Sequence, residues 1–234
     1  MILIFDLDDT LYDERSYVES GFRAVAAHGH ARYGWPVAAS FRFLRETLDS
    51  DGRGAVFDRW LEAHGLHMRA AVKECLAVYR RHTPKISLNP QAAKLLPKLA
   101  REAPLYLITD GHKLVQRRKV EALGIAPLFR KVLITHCYGR ARAKPSPYCF
   151  DLVRKAERCG WADLVYVGDD PAKDFAALNR RGGHTIRVRT GSHRDTVAAP
   201  GYEAQHVIAD LGGLTAVLQK ISPRSSQAKA AHRA

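Results

Sequence analysis

Short apolar runs alternate with longer amphipathic stretches along most of this 234-residue chain. The first run, Met1 to Phe5, is apolar and short enough to be a β-strand that is buried on both faces. Four further strands are predicted at 105–108, 131–135, 164–167 and 185–188, with a short edge strand at 206–208. Because helical stretches separate these runs, the pattern predicts an α/β fold with a parallel, doubly wound sheet.

The chain between the first and second predicted strands has a different character. Its apolar residues, among them Phe22, Trp60 and Leu76, recur at helical spacing, and convincing strand patterns are missing. We read three or four helices here and expect a compact α-helical insertion. The predicted domains are an α/β core at 1–13 and 84–219, the helical insertion at 14–83 and a basic tail at 220–234.

Sequence signals mark the ends of several core helices. Asn89 and Pro90 are typical of an N-cap followed by proline at the first helical position. That helix runs toward Arg101, and Pro97 is expected to kink or divide it. Gly124 is the predicted C-cap of the next helix, which follows the second strand. Further helices are predicted at 148–159, 172–181 and 211–219.

Composition narrows the class of protein. Hydrophobic residues make up 46% of the chain and charged residues 26%, which is typical of a soluble globular protein. Apolar runs stay well short of the ~20 residues that span a bilayer, and the N-terminus lacks the basic start of a signal peptide. A cytoplasmic protein without a membrane partner is therefore expected. The four cysteines have no paired spacing, which favours free, mostly buried thiols over a zinc site or a disulfide framework.

The chain is strongly basic, with 37 Lys and Arg against 24 Asp and Glu and a formal net charge of +13. Such a field favours anionic partners, which include phosphorylated metabolites, nucleic acid and acidic lipid headgroups. Part of the excess lies in the tail at 220–234, which contains no acidic residue and is predicted to be disordered. Charge alone therefore says little about function.

A cluster of aspartates follows the first predicted strand. Asp6, Asp8 and Asp9 are crowded there, and like charges disfavour one another's ionisation. A hard dication with oxygen ligands would offset that cost. A solvated acidic turn, with Asp9 or Thr10 as a helix N-cap, fits this segment equally well. Because ligands bind beyond the carboxyl ends of the strands in such sheets, the ends of the later strands bear on the choice.

Four short motifs occur in order along the chain, at or soon after predicted strand ends. They are Asp6-Leu7-Asp8-Asp9-Thr10, Thr109-Asp110-Gly111, Lys144-Pro145 and the segment from Gly168 to Asp174. This ordered set resembles the haloacid dehalogenase (HAD) superfamily, and the resemblance extends to about residue 218. It implies a Rossmann-like hydrolase core. It also implies that the insertion at 14–83 is a type C1 helical cap, which closes over the active site and contacts the substrate.

The resemblance implies Mg²⁺-dependent phosphoryl transfer through an aspartyl-phosphate. Asp6 is the implied nucleophile, and Asp8 the implied group that donates and later accepts a proton. Asp6 and Asp169 would bind Mg²⁺ through side-chain oxygens, and Asp8 through its backbone carbonyl. Dehalogenases of the family lack a carboxylate at the position of Asp8, so its presence argues for phosphoryl chemistry.

The remaining motif residues are implied to bind the phosphate or to arrange the site. Thr109 would hydrogen-bond a phosphoryl oxygen, and the amides of Asp110 and Gly111 would open a helix that favours anions. Lys144 would offset the charge of the phosphoryl oxygens and carboxylates, and Asp174 would orient Lys144 or a metal-bound water. Each has a structural alternative: Thr109 or Asp110 as a helix N-cap, and Lys144 as a surface lysine.

Four neighbouring residues are kept out of the predicted site. Asp170 precedes a proline, as an N-cap does, so a structural role is favoured for it. Asp9 is expected to be structural or solvated, and Lys173 to be a charge on a helix surface. His112 could touch substrate, although histidines are plentiful in this chain.

The resulting hypothesis is a phosphatase acting on a small phosphorylated metabolite, with Mg²⁺ as cofactor. A phosphomutase of the same fold is the first alternative, because it would keep every core residue. The second alternative is a polyanion-binding protein with a vestigial site, although no specific nucleic-acid motif is apparent. The sequence specifies neither the substrate nor the oligomeric state.

Overall fold

The computed structural model describes residues 1–221, and a six-stranded parallel sheet forms the centre of its core. The strands are β1 (Ile2–Phe5), β2 (Leu105–Thr109), β3 (Lys131–Ile134), β4 (Leu164–Gly168), β5 (His184–Val188) and β6 (His206–Ile208). Their order across the sheet is β3-β2-β1-β4-β5-β6. The chain therefore builds one half of the sheet outward from β1 and then crosses over to build the other half, which is the doubly wound arrangement. The predicted fold class is confirmed.

The helices of the described residues follow the predicted pattern in most places. They are α1 (Glu14–Tyr33), α2 (Val37–Asp51), α3 (Val56–Glu62), α4 (Arg69–Arg81), α5 (Pro90–Glu102), α6 (Lys113–Leu123), α7 (Tyr148–Glu157), α8 (Ala176–Asn179) and α9 (Leu214–Ile221). Among residues 1–221, none of the helices is long and apolar enough to cross a membrane.

Pro97 was expected to kink or divide α5, and it does not divide the helix. The helix contains Pro97 in its interior and buries Leu96 and Leu99 on one face. Pro97 itself is exposed. Because a proline removes one backbone donor, its cost is lowest where the disturbed turn faces solvent rather than the core. Packing of the buried face therefore keeps this helix in one piece.

The helix predicted at 172–181 is much shorter in the structure. Only α8 is helical, and residues 171–175 form turns. The Asp170 carboxylate accepts the backbone N–H of Ala172 at 2.9 Å, while the Asp170 carbonyl accepts that of Asp174 at 3.0 Å. These bonds hold a tight turn, which directs the fully buried Asp174 side chain inward.

The chain divides into two compact units. One consists of Met1–Asp13, Leu88–Gly111 and the residues from Ile125 onward, and the other of Glu14–Ser87 and His112–Gly124. The helical unit thus contains α6 in addition to α1–α4, whereas the sequence reading had α6 in the core. Lys119 of α6 is buried, and its ammonium lies 3.2 Å from Glu14. The role of the helical segment as a cap stays a prediction.

An aromatic cluster fills the helical unit. Phe22, Phe57 and Tyr79 contact one another with ring centroids 5.7–6.1 Å apart, in tilted or edge-on arrangements. Trp60 is fully buried close by in the same cluster of residues. Edge-on aromatic packing is favourable beyond the area that it buries. The apolar residues that predicted the helices are thus the residues that hold them together.

Strands β1, β2 and β4 are buried along their whole length, which explains why their sequences are apolar without alternation. The register aligns Phe5 with Leu107 of β2 on one side and with Val167 of β4 on the other. The residues that follow these strands therefore emerge at one edge of the sheet. Asp6 is fixed there by its backbone N–H, which donates to the carbonyl of Val167 at 2.9 Å.

The four cysteines are free thiols that differ in burial. Cys75 and Cys149 are buried free thiols, Cys159 is half-buried and Cys137 is exposed. The predicted tail at 220–234 lies outside the described residues except for its first two, which end α9.

Candidate active site at the carboxyl ends of the strands

Asp6 lies directly after β1 and is only 3% exposed. Burial raises the pKa of its carboxyl group, and the nearby ammonium of Lys144 opposes that rise. Lys144 Nζ lies 3.0 Å from Asp6 Oδ1, a charge contact. The same oxygen is buried and accepts no hydrogen bond of good geometry from the described residues. A buried, ionisable oxygen with this little hydrogen bonding is suited to bind a cation or to attack an electrophile.

Lys144 is the buried cation at the centre of the site. Its Nζ lies 2.8 Å from Asp174 Oδ1 and 2.8 Å from the hydroxyl of Tyr166. Burial lowers the pKa of the ammonium, but the charges of Asp174 and Asp6 raise it further, and the pKa stays well above its ordinary value. Lys144 is therefore charged at neutral pH. The surface-lysine alternative is wrong, because three groups hold it inside the protein.

Asp174 lies in the turn after β4 and accepts three hydrogen bonds within the site. Its Oδ1 accepts hydrogen bonds from Lys144 and from Tyr166, and its Oδ2 accepts the backbone N–H of Asp170 at 3.0 Å. The side chain is fully buried. One carboxylate thus orients the lysine and fixes the turn at the same time, which agrees with the orienting role expected for it.

Tyr166 was missed in the sequence reading. It lies in the middle of β4, and its hydroxyl contacts both Lys144 and Asp174. A buried tyrosine hydroxyl requires a polar partner, so its presence in an apolar strand two residues before Gly168 was a usable signal. Its hydroxyl completes the set of groups around the ammonium.

Gly168 allows the close approach of Asp174. A Cβ at this position would overlap Asp174 Oδ2 and lie 3.0 Å from Asp174 Cγ. We expect Gly168→Ala to destabilise the protein by about 1–3 kcal/mol, because overpacking displaces a buried, hydrogen-bonded group. Chemical unfolding measures the effect. Gly160→Ala is the matched control, since its Cβ would meet only Asp163 at an ordinary 3.4 Å, and equal losses in both variants would contradict the prediction.

Asp169 adds a third carboxylate to the buried cluster. It is 3% exposed, and its Oδ1 accepts a hydrogen bond from Thr10 Oγ1 at 3.3 Å. Burial raises the pKa of Asp169, and the neighbouring charges of Asp6 and Asp174 raise it further. One oxygen from each of these three aspartates lies within 4.8 Å of the other two. The ionised form of this cluster thus requires additional positive charge.

The residues present fit a divalent cation. The buried ammonium of Lys144 contacts Asp6 and Asp174, and Asp169 lies beside these two, so the ionised cluster carries an excess of negative charge. Carboxylate oxygens are the ligands that Mg²⁺ prefers, and it needs few of them because it retains waters. Because Asp174 is occupied by three hydrogen bonds, Asp6 and Asp169 are the better placed side chains.

Asp8 is half-buried and is held by Tyr12. The hydroxyl of Tyr12 donates to Asp8 Oδ1 at 2.5 Å, and the two residues also form an isolated backbone bridge. Tyr12 is fully buried and was also missed in the sequence reading. Its position four residues after Asp8, directly after Leu11, was the available signal. The contact holds the carboxylate of Asp8 in a defined direction.

Thr109 and Asp110 end β2 and begin the loop after it. Thr109 is fully buried at the last position of the strand. The Asp110 carboxylate accepts the hydroxyl of Thr135 at 2.5 Å and the backbone N–H of Lys144 at 3.2 Å. Asp110 therefore ties the loop that carries Lys144 to the end of β2, and its role in phosphate binding stays a prediction.

Asp110 and Gly111 do not open a helix, so that expectation is wrong. Gly111 has a φ of +134°, which is not helical, and α6 begins only at Lys113 with exposed His112 as its N-cap. A glycine is the residue that adopts such a backbone without strain. The amides at these positions belong to a loop.

Asp170 and Lys173 belong to the turn rather than to a helix surface. The Asp170 carboxylate lies 3.1 Å from Lys173 Nζ and 3.4 Å from His193 Nε2. Burial opposes ionisation of Asp170, but Lys173 and the backbone N–H of Ala172 bring its pKa below the ordinary value. These contacts hold the turn, although no helix starts there, and a purely structural role for Asp170 stays a prediction. The expectation for Lys173 is corrected, because this partly buried ammonium lies on the turn beside the carboxylate cluster.

Comparison with known proteins gives a consistent result. A family model described as haloacid dehalogenase-like hydrolase matches residues 1–182. A glyceraldehyde 3-phosphate phosphatase of Methanocaldococcus jannaschii is 30% identical over 204 residues, covering 82% of this chain and 86% of the relative. A phosphoserine phosphatase of Thermus thermophilus is 28% identical over 235 residues, covering 85% of this chain and 93% of the relative.

Solved structures share the fold. A 2-haloacid dehalogenase from Pseudomonas syringae superposes with a TM-score of 0.64 at 24% identity, covering 94% of this chain and 99% of the other. A putative HAD hydrolase from Bacillus subtilis, solved bound to magnesium, has a TM-score of 0.67 at 18% identity, covering 93% and 97%. At these identities the likeness concerns the fold alone.

Proposed function

Because the chain belongs to the haloacid dehalogenase-like hydrolase family, we propose that it is a Mg²⁺-dependent phosphatase of small phosphomonoesters. The two relatives described above support this choice, since one is named a phosphatase of glyceraldehyde 3-phosphate and the other a phosphatase of phosphoserine. The proposed substrates are accordingly phosphate esters of small metabolites, with three-carbon compounds as the first candidates.

The buried charge imbalance carries the proposal. Asp6, Asp169 and Asp174 lie close together, and the buried ammonium of Lys144 contacts Asp6 and Asp174. The partly buried Lys173 beside them is paired with Asp170. In their ionised form the three carboxylates therefore carry an excess of negative charge, which is costly in a buried site. A divalent cation offsets that excess and, at the same time, reduces the repulsion between a carboxylate nucleophile and a phosphate dianion.

Asp6 is the proposed nucleophile. One of its carboxylate oxygens forms a bond to phosphorus while the bond between phosphorus and the ester oxygen breaks, which gives an aspartyl-phosphate. Asp8 donates a proton to the departing ester oxygen and later accepts one from the water that attacks the phosphorus. That second displacement releases inorganic phosphate and restores Asp6. The hydrogen bond from Tyr12 holds Asp8 in one orientation for both proton transfers.

The other residues of the proposed site would hold the metal ion, bind the phosphoryl group and offset its negative charge. When bound, Mg²⁺ would be held by the side chains of Asp6 and Asp169 with the backbone carbonyl of Asp8, and would supply charge neutralisation during phosphoryl transfer. Lys144 balances the charge on the phosphoryl oxygens, and Asp174 holds its ammonium in place. Thr109 is proposed to donate a hydrogen bond to a phosphoryl oxygen.

Phosphate release from a panel of phosphomonoesters tests the proposal. Purified protein with Mg²⁺ is expected to hydrolyse at least one member of a panel that includes glyceraldehyde 3-phosphate, phosphoserine and sugar phosphates. Turnover should stop when EDTA removes the metal and return when Mg²⁺ is restored. Halide release from 2-chloropropionate is the matched assay for dehalogenation, and none is expected. Halide release without phosphate release would overturn the proposal, as would a panel without any hydrolysis.

A further inference from the structure

A short loop after β5 contacts two of the motif segments at once. The loop, which we call the β5 loop, consists of residues 190–193. The hydroxyl of Thr190 donates to the backbone carbonyl of Asp9, and Ser192 donates to the Asp9 carboxylate. His193 lies 3.4 Å from the carboxylate of Asp170. The loop thus spans from the segment after β1 to the turn after β4.

Asp9 is held in an unusual backbone conformation. Its φ is +52°, in the left-handed region that few residues other than glycine, asparagine and aspartate adopt. The buried Asp9 Oδ2 accepts the backbone N–H of Ser192 at 2.9 Å and its hydroxyl at 2.8 Å. The carboxylate is therefore used within the protein framework. Hydrogen bonds at both the carbonyl and the side chain fix the orientation of this residue.

The neighbours of Asp9 are parts of the proposed site. Asp8 precedes it and is the proposed proton donor, and Thr10 follows it and donates to Asp169 Oδ1. In a chain of fixed covalent geometry, the backbone angles of one residue set the directions of both neighbours. The bonds to Asp9 consequently determine where Asp8 points and where Thr10 meets Asp169.

Gly191 permits the close approach of the two segments. It has a φ of +61°, and a Cβ at this position would overlap Cγ of Asp9. No residue with a side chain fits here without displacing Asp9 or the loop. The contact depends on a glycine for space as well as for its backbone conformation.

The β5 loop is itself anchored to the sheet. Arg187 of β5 is 3% exposed and donates to the carbonyl of His193 at 2.7 Å and to that of Thr196 at 2.8 Å. Its second terminal nitrogen, Nη1, donates to the carboxylate of Glu203 at 2.8 Å. A buried guanidinium with these partners holds the loop in one conformation. The contacts of the loop to Asp9 and Asp170 therefore have a defined position relative to the sheet.

We propose that the β5 loop is a positioning element, which sets the placement of the Asp6–Asp8 segment relative to the turn that carries Asp169 and Asp174. Asp9 is its anchor and acts through its neighbours, without contact to substrate or metal. The inference rests on the proposed phosphatase function. It predicts that loss of the contact lowers kcat, because small misplacements of catalytic groups are costly, while KM changes little.

Three substitutions of Asp9 separate the possible roles. Asp9→Asn keeps both the acceptor oxygen and the tolerance of positive φ, and should retain kcat within about threefold. Asp9→Gly keeps only the backbone tolerance, and should lower kcat by about tenfold or more with KM within about twofold. Asp9→Ala loses both and should be at least as impaired. If Asp9→Gly matches the wild type in kcat, the carboxylate has no positioning role and the proposal is overturned.

Gly191→Ala tests the same contact from the other side, with Gly182→Ala as its control. Gly182 has a similar φ of +78°, but a Cβ there would meet no atom within 4 Å. Both alanines add backbone strain, and only that at 191 also displaces Asp9. We expect kcat to fall by about tenfold in Gly191→Ala and to stay near wild type in Gly182→Ala. Equal effects in the two variants would overturn the proposal.

The experiments distinguish a failure of the proposed phosphatase function from a failure of the positioning role. A wild-type protein that releases no phosphate from the panel refutes the phosphatase reading, whereas an active wild type with active Asp9→Gly and Gly191→Ala variants refutes only the positioning role. Thermal unfolding of each variant establishes that kcat is compared between folded proteins. Asp9→Gly keeps the test decisive if the crowded Gly191→Ala variant fails to fold.

Discussion

Replacing Asp6 with asparagine is expected to lower phosphate release by at least about 10⁴-fold while leaving the protein folded. The amide is nearly isosteric but cannot act as the nucleophile, so the aspartyl-phosphate does not form. Lys144 keeps Asp174 and Tyr166 as partners, and the buried network therefore survives. Initial rates with the best substrate of the panel measure the effect. Activity within about tenfold of wild type would refute the role of Asp6.

The same variant has a second signature in its stability. Burial raises the pKa of Asp6 above the ordinary 3.8, so the folded protein holds this proton more tightly than the unfolded chain does. Without metal, the contribution of Asp6 to the free energy of unfolding thus falls as the pH rises above 3.8. Asp6→Asn removes this titration and should flatten the dependence.

Mg²⁺ provides the complementary measurement for Asp6. It should raise the melting temperature of the wild type more than that of Asp6→Asn, because binding stabilises only a state that can hold the ion. Asp163→Asn serves as the control, since Asp163 accepts a backbone N–H from Gly160 in an exposed turn outside the site. Equal shifts in all three proteins would argue against Asp6 as a ligand.

Replacing Lys144 with methionine is expected to cost about 3–5 kcal/mol of stability, because it leaves buried carboxylates without their ammonium. Turnover of the folded variant should also fall by about 10²–10³-fold, since the site loses a positive charge beside the phosphoryl group. Chemical unfolding and initial rates measure the two effects. A variant with wild-type turnover would contradict the assigned role of Lys144.

The pH dependence of this variant follows from the sign of the pKa shift. Asp174 and Asp6 raise the pKa of Lys144 despite its burial, so its favourable contribution is complete below 10.5 and is lost only as the pH rises through the raised value. The wild type therefore keeps this contribution across neutral pH. In Lys144→Met the uncompensated carboxylates regain stability by binding protons, and the deficit should shrink as the pH falls.

Lys119→Met is the matched control for Lys144→Met. Lys119 is also a buried lysine with an acidic partner, Glu14 at 3.2 Å, but it lies in the helical unit. Its replacement should lower stability through the same loss of a buried pair. Turnover of the folded Lys119→Met variant should stay near wild type. A similar loss of turnover in both variants would indicate a general effect of destabilisation.

Local patterns predicted most of the elements for a definite reason. A strand buried on both faces must be apolar throughout, so β1, β2 and β4 were visible as short apolar runs. The helix boundaries that local patterns did not determine are those that depend on packing. Pro97 lies within one continuous helix because its turn faces solvent, and the helix predicted from residue 172 is replaced by a turn because Asp174 points into the site.

Some residues of the candidate site could likewise be identified from the sequence, and others could not. Acidic residues at strand ends identified Asp6 and Asp169, because parallel strands bring their carboxyl ends to one edge. Tyr12 and Tyr166 escaped notice, since a tyrosine in an apolar run is usually part of the core, and only its neighbours in space show where its hydroxyl goes. Lys173 was likewise assigned to a helix surface, but its segment forms a turn in the structure.

The parallel fold and the acidic residues at the strand ends could be predicted from the sequence, because the apolar runs of buried strands and their alternation with helices are local patterns. The partners of the three aspartates in the first motif came from the tertiary structure. Asp6 meets Lys144, Asp8 meets Tyr12, and Asp9 turns away to bind Ser192 of a loop 183 residues later in the chain. These three aspartates lie within four positions of the chain but have different partners. They differ because each side chain leaves the strand end in another direction, toward a partner from a distant segment.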